Sequence, residues 1–240
     1  KEGPVEDTGN RERVAKLLRF ASTHNDSDEQ NVTFDDYIGR MQEGQDKIYY
    51  IVADNYLAAK NSPHLEIFKQ KGLEVLLLSD RIDEWLVTHL TEVDEKKLQS
   101  VARGDLDLGE EDKKEREAKK EKFEKDYASV IEHAKKILGD KIKDITISQR
   151  LTDSPSCLVL NENEMSAQMQ QIMQAAGQYV PKPQPVLELN PEHELIHTLK
   201  DITDDDRFED WVNLLYEQAQ IAAGNPLDDA AAFVKRVNKL

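Results

Sequence analysis

The sequence predicts an α+β protein: a small α/β (αβα) subdomain, followed by a mixed α/β domain that ends in a helix pair. Three patterns carry this prediction. Strand and helix signals alternate over residues 47–90, a mixed-charge run at 109–126 separates two parts, and two amphipathic helical patterns close the chain. At 240 residues, the chain is long enough for one large domain or two small ones, each with its own core.

Local signals define the first part. Residues 48–52 and 73–78 are apolar runs that predict two strands, and the helix between them begins at Pro63 and ends at Gly72. Because a helical segment connects them, the two strands are expected to be parallel. Upstream, residues 10–20 predict an amphipathic helix with Leu17 on its apolar face.

The second part opens with a run of mixed charge. Over residues 109–126, acidic residues precede basic ones by four positions, and each such pair stabilises a helix by only about 0.2–0.5 kcal/mol, so the run predicts a solvated connector rather than a binding site. The elements that follow are a helix to Gly139, strands within 141–148, 157–160 and 186–189, and helices at 191–199, 205–223 and 227–240.

The last two helices each carry an apolar face. A small sheet cannot easily cover both faces, and pairing with the same two helices of a second chain would bury them in a four-helix bundle. The residues expected at this interface are Phe208, Trp211, Leu215, Phe233, Val234, Val237 and Leu240.

A methionine stripe has two interpretations. Met165, Met169 and Met173 recur at helical spacing together with Ile172. The stripe is either packed core or an adaptable contact surface, since methionine is unbranched and can repack against different partners. Trp85, on the helix after the second strand, is likewise either a core residue or a surface anchor. The residues alone leave both alternatives open.

Composition argues against several classes of protein. The net charge of −16 repels phosphate backbones, and no basic face with interleaved aromatics is present, so nucleic acid is not an expected partner. No apolar run reaches the length of a membrane span. The single cysteine, Cys157, cannot form an internal disulfide, which fits a reducing cytoplasm. Because Lys1 is not an initiator methionine, we expect a fragment of a longer protein.

One motif offers an enzymatic alternative. His193-Glu194-Leu195-Ile196-His197 matches the H-E-x-x-H pattern, in which two histidines on one helical face bind zinc and the glutamate is the general base. A zinc-dependent hydrolase is therefore the second hypothesis. No downstream glycine-and-histidine extension follows, so the third ligand would be an arbitrary carboxylate such as Glu209 or Glu217. We find no other catalytic constellation in the sequence.

Long runs in a fixed order then point to one family. They include Ser-Pro-His-Leu-Glu at 62–66, Glu-Val-Leu-Leu-Leu-Ser-Asp-Arg-Ile-Asp-Glu-Trp at 74–85 and Gln-Arg-Leu-Thr-Asp-Ser-Pro at 149–155, with further runs at 13–23, 36–41 and 47–51. Together they closely resemble the ninety-kilodalton heat-shock chaperones, in their bacterial form, over essentially the whole chain.

The resemblance implies a domain assignment. Residues 1–112 would be the later part of the family's middle domain, a helical segment plus the small αβα subdomain, and residues 113–240 the C-terminal dimerisation domain. The family binds ATP and magnesium in an N-terminal domain outside this chain, and the middle-domain arginine that completes the site precedes Lys1. The resemblance therefore implies that this fragment holds no cofactor and is not an enzyme by itself. The chain also ends without the acidic pentapeptide through which eukaryotic cytosolic members recruit co-chaperones.

The resemblance also implies partners and sites. It implies a homodimer formed by the last helices, unfolded or partly folded client proteins, and other chaperones as further partners. The expected client-contact residues are Glu84, Trp85, Thr88, Met165, Met169, Ile172 and Met173. Thr88 departs from the asparagine that is frequent in bacterial members. The family holds no metal at the segment matching 193–197, so the resemblance argues against the zinc site. Because it places the methionine stripe on a client-facing cleft, it also favours exposure of the stripe.

Overall fold

The computed structural model describes residues 1–25, 27–106, 108, 110–162, 164–165, 169–170, 173, 177–178 and 183–239, and for residues 8 and 110–116 it describes the backbone alone. The chain forms two compact units, Lys1–Val101 and Ala102–Leu240. The division falls before the predicted boundary at residue 112, because the segment after Ala102 is hydrogen-bonded into the second unit: the Gly104 N–H donates to the Leu160 carbonyl at 2.9 Å. The assignment of the two parts to a middle and a dimerisation domain stays a prediction.

Within the described residues, the first unit is built on a six-stranded mixed sheet. Its strands are β1 Phe20–Ser22, β2 Ser27–Val32, β3 Lys47–Val52, β4 Leu76–Leu78, β5 Glu92–Val93 and β6 Lys96–Ser100. Their order is β2-β1-β4-β3-β6-β5, and β3 runs parallel to both β4 and β6, while the other pairs are antiparallel. The predicted parallel pairing of the two apolar strands is confirmed, with Ile51 opposite Leu77.

Short helices accompany this sheet. They are α1 Gly3–Glu6, α2 Arg11–Ala15, α3 Phe34–Gly39, α4 Tyr56–Lys60, α5 Glu66–Lys71 and α6 Asp83–His89, with 3₁₀ turns at Thr8–Asn10 and Pro63–Leu65. Pro63 occupies the first position of its turn, where a backbone N–H is not needed. Gly72 ends α5 at φ +64°, the left-handed conformation that glycine adopts without steric cost.

The helix predicted over residues 10–20 is wrong at its C-terminal end. α2 ends at Ala15, and the chain enters the sheet at Phe20, with Ala21 opposite Leu77 of β4. Leu17 is consequently 73% exposed instead of lying on a buried helical face. Apolar residues near the end of an amphipathic pattern fit a buried strand equally well, so the spacing could not locate the transition.

The second unit combines a three-stranded sheet with longer helices, as far as its residues are described. The strands are β7 Asp144–Ile147, β8 Ser156–Val159 and β9 Val186–Leu189, in the order β7-β9-β8, with β9 parallel to β7 and antiparallel to β8. The helices are α7 Glu110–Asp126, α8 Ala128–Leu138, α9 Glu194–Leu199, α10 Asp205–Ala222 and α11 Ala230–Val237, and a 3₁₀ turn spans Gly139–Lys141. Mixed sheets with helices are the content that the α+β class predicts.

The core of the second unit lies between its sheet and helices α8, α9 and α10. Ile131, Ile145, Leu187, Ile196 and Leu215 belong to one cluster of buried side chains. α7 contributes Phe123 to this cluster, while residues 117–122 of the same helix are exposed, as expected of a solvated connector. In the part of the chain that the structure describes, no helix is long and apolar enough to cross a bilayer.

Candidate functional site

Helix α6 carries the first group of predicted contact residues. Its first turn is fixed by Asp83, whose carboxylate accepts a hydrogen bond from the Asp80 N–H at 2.9 Å, and burial raises the pKa of this carboxyl. Leu86 and Val87 face the interior of the first unit. Because side chains one or two positions away lie on other faces of a helix, this packing directs Trp85 toward solvent, where it is 46% exposed.

The exposed Trp85 indole is supported by its own helix. The His89 ring lies against it, with 4.6 Å between ring centroids and 44° between planes. The His89 Nδ1 atom is 2.9 Å from the Trp85 carbonyl oxygen, and the Thr88 hydroxyl donates to the Glu84 carbonyl at 2.8 Å. An amphipathic aromatic side chain held in one orientation is suited to anchor an apolar partner. The structure places Trp85 at the surface rather than in the core, and its role as an anchor stays a prediction.

Glu84 lies in a different environment from its neighbours. The structure buries it, with 3% of its surface exposed, whereas Thr88 is exposed. A client contact through the Glu84 carboxylate stays a prediction, and it requires that the side chain first be uncovered. Trp85 and Thr88 form the accessible part of the predicted contact on α6.

The methionine stripe is described in part. Met165 is 43% exposed, and Met169 and Met173 are partly buried. Gln170 is buried, and its amide donates to the Met165 carbonyl at 3.1 Å. Ile172 lies outside the described residues. None of the three methionines is fully buried, which favours the contact surface over the packed core. The stripe lies in the second compact unit and α6 in the first.

The structure divides the predicted dimer residues into two groups. Phe208 and Leu215 of α10 are buried in the core of their own unit, where the Phe208 ring stacks on His133 with 4.5 Å between centroids. By contrast, Val234 and Val237 of α11 are 55% and 48% exposed. Trp211 and Phe233 are partly buried, and Leu240 lies outside the described residues. Large exposed apolar side chains close together on one helix are a feature of interaction sites.

Charged side chains fix α11 on α10. The Arg236 guanidinium donates to the Glu217 carboxylate from two nitrogen atoms, with 3.2 Å for the Nε contact, and this hydrogen bonding raises the pKa of Arg236. Lys239 lies two residues beyond the end of α11, and its ammonium pairs with the carboxylate of Asp210, about two turns before Glu217 on α10. The helix begins at Asp229, whose carboxylate accepts from the Ala232 N–H at 2.9 Å.

The H-E-x-x-H segment does not form the arrangement that the zinc hypothesis requires. Helix α9 begins at Glu194, so His193 is its N-cap, and the His193 Nδ1 atom accepts a hydrogen bond from the Leu195 N–H at 3.1 Å. The His197 Nδ1 atom lies 3.1 Å from the Tyr127 hydroxyl. Among the described residues, no group of three or more histidine, cysteine or acidic side chains could hold a metal ion. The proposed ligand Glu217 is paired with Arg236. Nothing in the structure supports the zinc hydrolase.

Sequence reasoning missed a buried ion pair in the second unit. The Arg150 guanidinium donates to both oxygens of the Glu188 carboxylate, at 3.1 and 3.2 Å, and to the Gly104 carbonyl at 2.7 Å. The two residues are 1% and 5% exposed. The sequence did contain a signal for this pair, since Glu188 stands within the apolar strand at 186–189. A buried carboxylate needs a cationic partner.

Comparison with known proteins identifies the family. The family model described as "Hsp90 protein" matches residues 1–240, which is the whole chain, and the chain therefore belongs to that family. Similar relatives are the "Chaperone protein HtpG" of Colwellia psychrerythraea, 57% identical over 240 residues, that of Pseudoalteromonas translucida, 54% identical over 240, and that of Coxiella burnetii, 55% identical over 240. Each match covers 100% of this chain and 37–38% of the relative, so the chain spans well under half the length of these proteins.

Proposed function

We propose that this chain is the client-holding and dimer-forming part of a molecular chaperone that folds proteins with the use of ATP. The observation that carries the proposal is the exposure of large apolar side chains at predicted contact positions: Trp85 on α6, Met165 in the methionine stripe, and Val234 and Val237 on α11. The net charge of −16 favours solubility despite this exposed apolar surface. The surface is therefore available for binding other proteins.

Client binding is assigned to Trp85, Thr88 and the methionine stripe. Non-native proteins expose apolar side chains of varied shape. A rigid indole supplies a large contact area at low entropic cost, and unbranched methionines adapt to different shapes. Both properties suit a surface that recognises apolar content rather than one sequence.

The client assignment predicts the effect of losing the indole. Trp85→Ala should weaken binding of a permanently unfolded probe, such as reduced carboxymethylated α-lactalbumin labelled with a fluorophore, by about fivefold or more, since a buried tryptophan anchor contributes 1 kcal/mol or more. Fluorescence anisotropy titration of the 240-residue chain measures this. Met165→Glu should have an effect in the same direction.

A matched control comes from the same unit. Leu57 on α4 is 65% exposed and belongs to neither predicted surface, so Leu57→Ala should leave the affinity unchanged. Equal losses for Leu57→Ala and Trp85→Ala would show that the probe binds any exposed apolar side chain, and the site assignment would then be wrong.

Homodimerisation is assigned to α10 and α11. The exposed Val234 and Val237 face has no cover within the described residues of a single chain, and a two-fold arrangement places the same face of a second copy against it. V234E/V237E should convert the dimer to a monomer, because four carboxylates would then meet at the contact. Sedimentation equilibrium checks this, with L17E/L57E as the charge-matched control that should stay dimeric, since both leucines are exposed and lie in the first unit.

The nucleotide chemistry belongs, in this proposal, to a part of the longer relatives that the chain does not match. ATP with magnesium should therefore give no binding heat with the 240-residue chain, and measurable binding by calorimetry would contradict this assignment. We also place the protein in the cytoplasm, with other chaperones as further partners, as the family resemblance implies.

A further inference from the structure

Two ion pairs join α11 to α10 in antiparallel order. Glu217 and Asp210 are seven positions apart and share one face of α10, whereas Arg236 lies in the last turn of α11 and Lys239 lies two residues beyond its end. The Glu217 and Arg236 side chains are only 11% and 19% exposed, so their pair is screened less by solvent than an ordinary surface pair.

Apolar packing covers α11 only in part, since Phe233 is partly buried. No side chain of this helix is buried, and its apolar residues Val234 and Val237 are about half exposed. At 100° per residue, Arg236 lies about 130° from the direction midway between Val234 and Val237. The helix therefore turns its charged side toward α10 and its apolar side away.

The ion pairs also remove charge where two copies would meet. A chain of net charge −16 repels a second copy of itself, and unpaired carboxylates beside the contact would add to that repulsion. Within the chain, Arg236 neutralises Glu217 and Lys239 neutralises Asp210. The surface around Val234 and Val237 can therefore face the same surface of a second copy without repulsion from these two carboxylates.

We infer that the Arg236–Glu217 and Lys239–Asp210 pairs form an intrachain clamp that positions α11 for contact with a second copy of this chain. The four charged residues are positioning residues, and the apolar face of α11 makes the contact. The inference rests on the proposed homodimer and adds a requirement to it: the dimer depends on charges that pair within one chain.

The clamp is tested by the dimer dissociation constant, measured by sedimentation equilibrium on the 240-residue chain. Glu217→Gln and Arg236→Gln should each raise it by about tenfold, because each leaves a partly buried charge unpaired and loosens α11. Arg236→Lys keeps the charge and should retain most of the affinity. Lys235→Gln removes a charge from the exposed side of the same helix and should have no effect.

A second measurement separates positioning from direct contact across the dimer. In the monomeric V234E/V237E background, Glu217→Gln should accelerate amide hydrogen exchange over residues 230–237, and Lys235→Gln should not. Unchanged exchange would show that Glu217 does not hold α11 within its own chain and would overturn the clamp.

The remaining outcomes are distinct. If Glu217→Gln and Arg236→Gln dimerise like Lys235→Gln while V234E/V237E is monomeric, the clamp is wrong and the proposed dimer stands. An Arg236→Lys loss as large as that of Arg236→Gln would also overturn the ionic role. If V234E/V237E remains dimeric, the interface itself is wrong, and the clamp falls with it.

Discussion

At the scale of single residues, the Tyr37 hydroxyl joins three segments of the first unit. It donates to the Glu74 carbonyl at 2.7 Å and accepts from the Tyr49 N–H at 3.0 Å and the Gln45 side-chain amide at 3.1 Å. Tyr37→Phe leaves these groups without that partner in a buried site, so it should lower the free energy of unfolding by about 1–3 kcal/mol. Urea denaturation of the 240-residue chain measures the difference.

Tyr56 supplies the control for this prediction. Its hydroxyl is also buried in the first unit, but it has no hydrogen-bond partner among the described residues. Tyr56→Phe removes no hydrogen bond, so it should not lower the free energy of unfolding. Equal losses for the two variants would show that the hydrogen bonds of Tyr37 are not the cause.

The same hydroxyl predicts a dependence on alkaline pH. Burial raises the pKa of Tyr37 above its ordinary value of about 10. With the folded-state pKa above the unfolded one, the contribution to stability is complete below about pH 10 and is lost as the pH rises further. The difference in unfolding free energy between the unmodified chain and Tyr37→Phe should narrow as the pH rises above about 10. A constant gap in urea denaturation would contradict this.

At the scale of elements, strand β9 depends on a charge inside the second unit. Glu188 stands in the central strand of the sheet, and its carboxylate also accepts from the Ser148 hydroxyl at 2.7 Å. Glu188→Gln removes the charge and leaves Arg150 buried without its counter-ion. The expected loss is about 3–5 kcal/mol of unfolding free energy, measured by urea denaturation.

A double variant distinguishes the ion pair from simple packing. R150M/E188L replaces both charges with apolar side chains, and it should be less destabilised than Glu188→Gln, because no unpaired charge remains. Were the double variant the less stable of the two, the pair would be contributing net stability beyond the cost of its burial.

At the scale of the whole molecule, the chain is organised as two compact units with separate cores. The second unit begins at Ala102, and the Gly104 carbonyl accepts from Arg150. A fragment of residues 102–240 should therefore fold, dimerise and melt at a higher temperature than a fragment of residues 113–240, which lacks this partner. Circular dichroism melting compares the two, and equal melting temperatures would show that residues 102–112 add nothing to the second unit.

The sequence predicted most elements because their signals are local. Apolar runs predicted β3, β4 and β9. Pro63 and Gly72 marked the helical segment between β3 and β4, because their backbone preferences do not depend on distant contacts. The elements were less predictable where one pattern fits two structures. Leu17 illustrates this, because the spacing that suggests a helix could not show that the chain turns into β1.

The sequence by itself determined the class of fold, the separation into two parts and the resemblance that leads to the chaperone family, since residue types and their order carry these properties. Only the tertiary structure decided which apolar faces are covered. Phe208 and Val234 both lie on amphipathic helices at the end of the chain, yet one is buried in the core and the other is half exposed. Spacing shows that residues share a face, but burial depends on what the rest of the chain packs against that face. For the same reason, Trp85 is exposed and Glu84 beside it is buried.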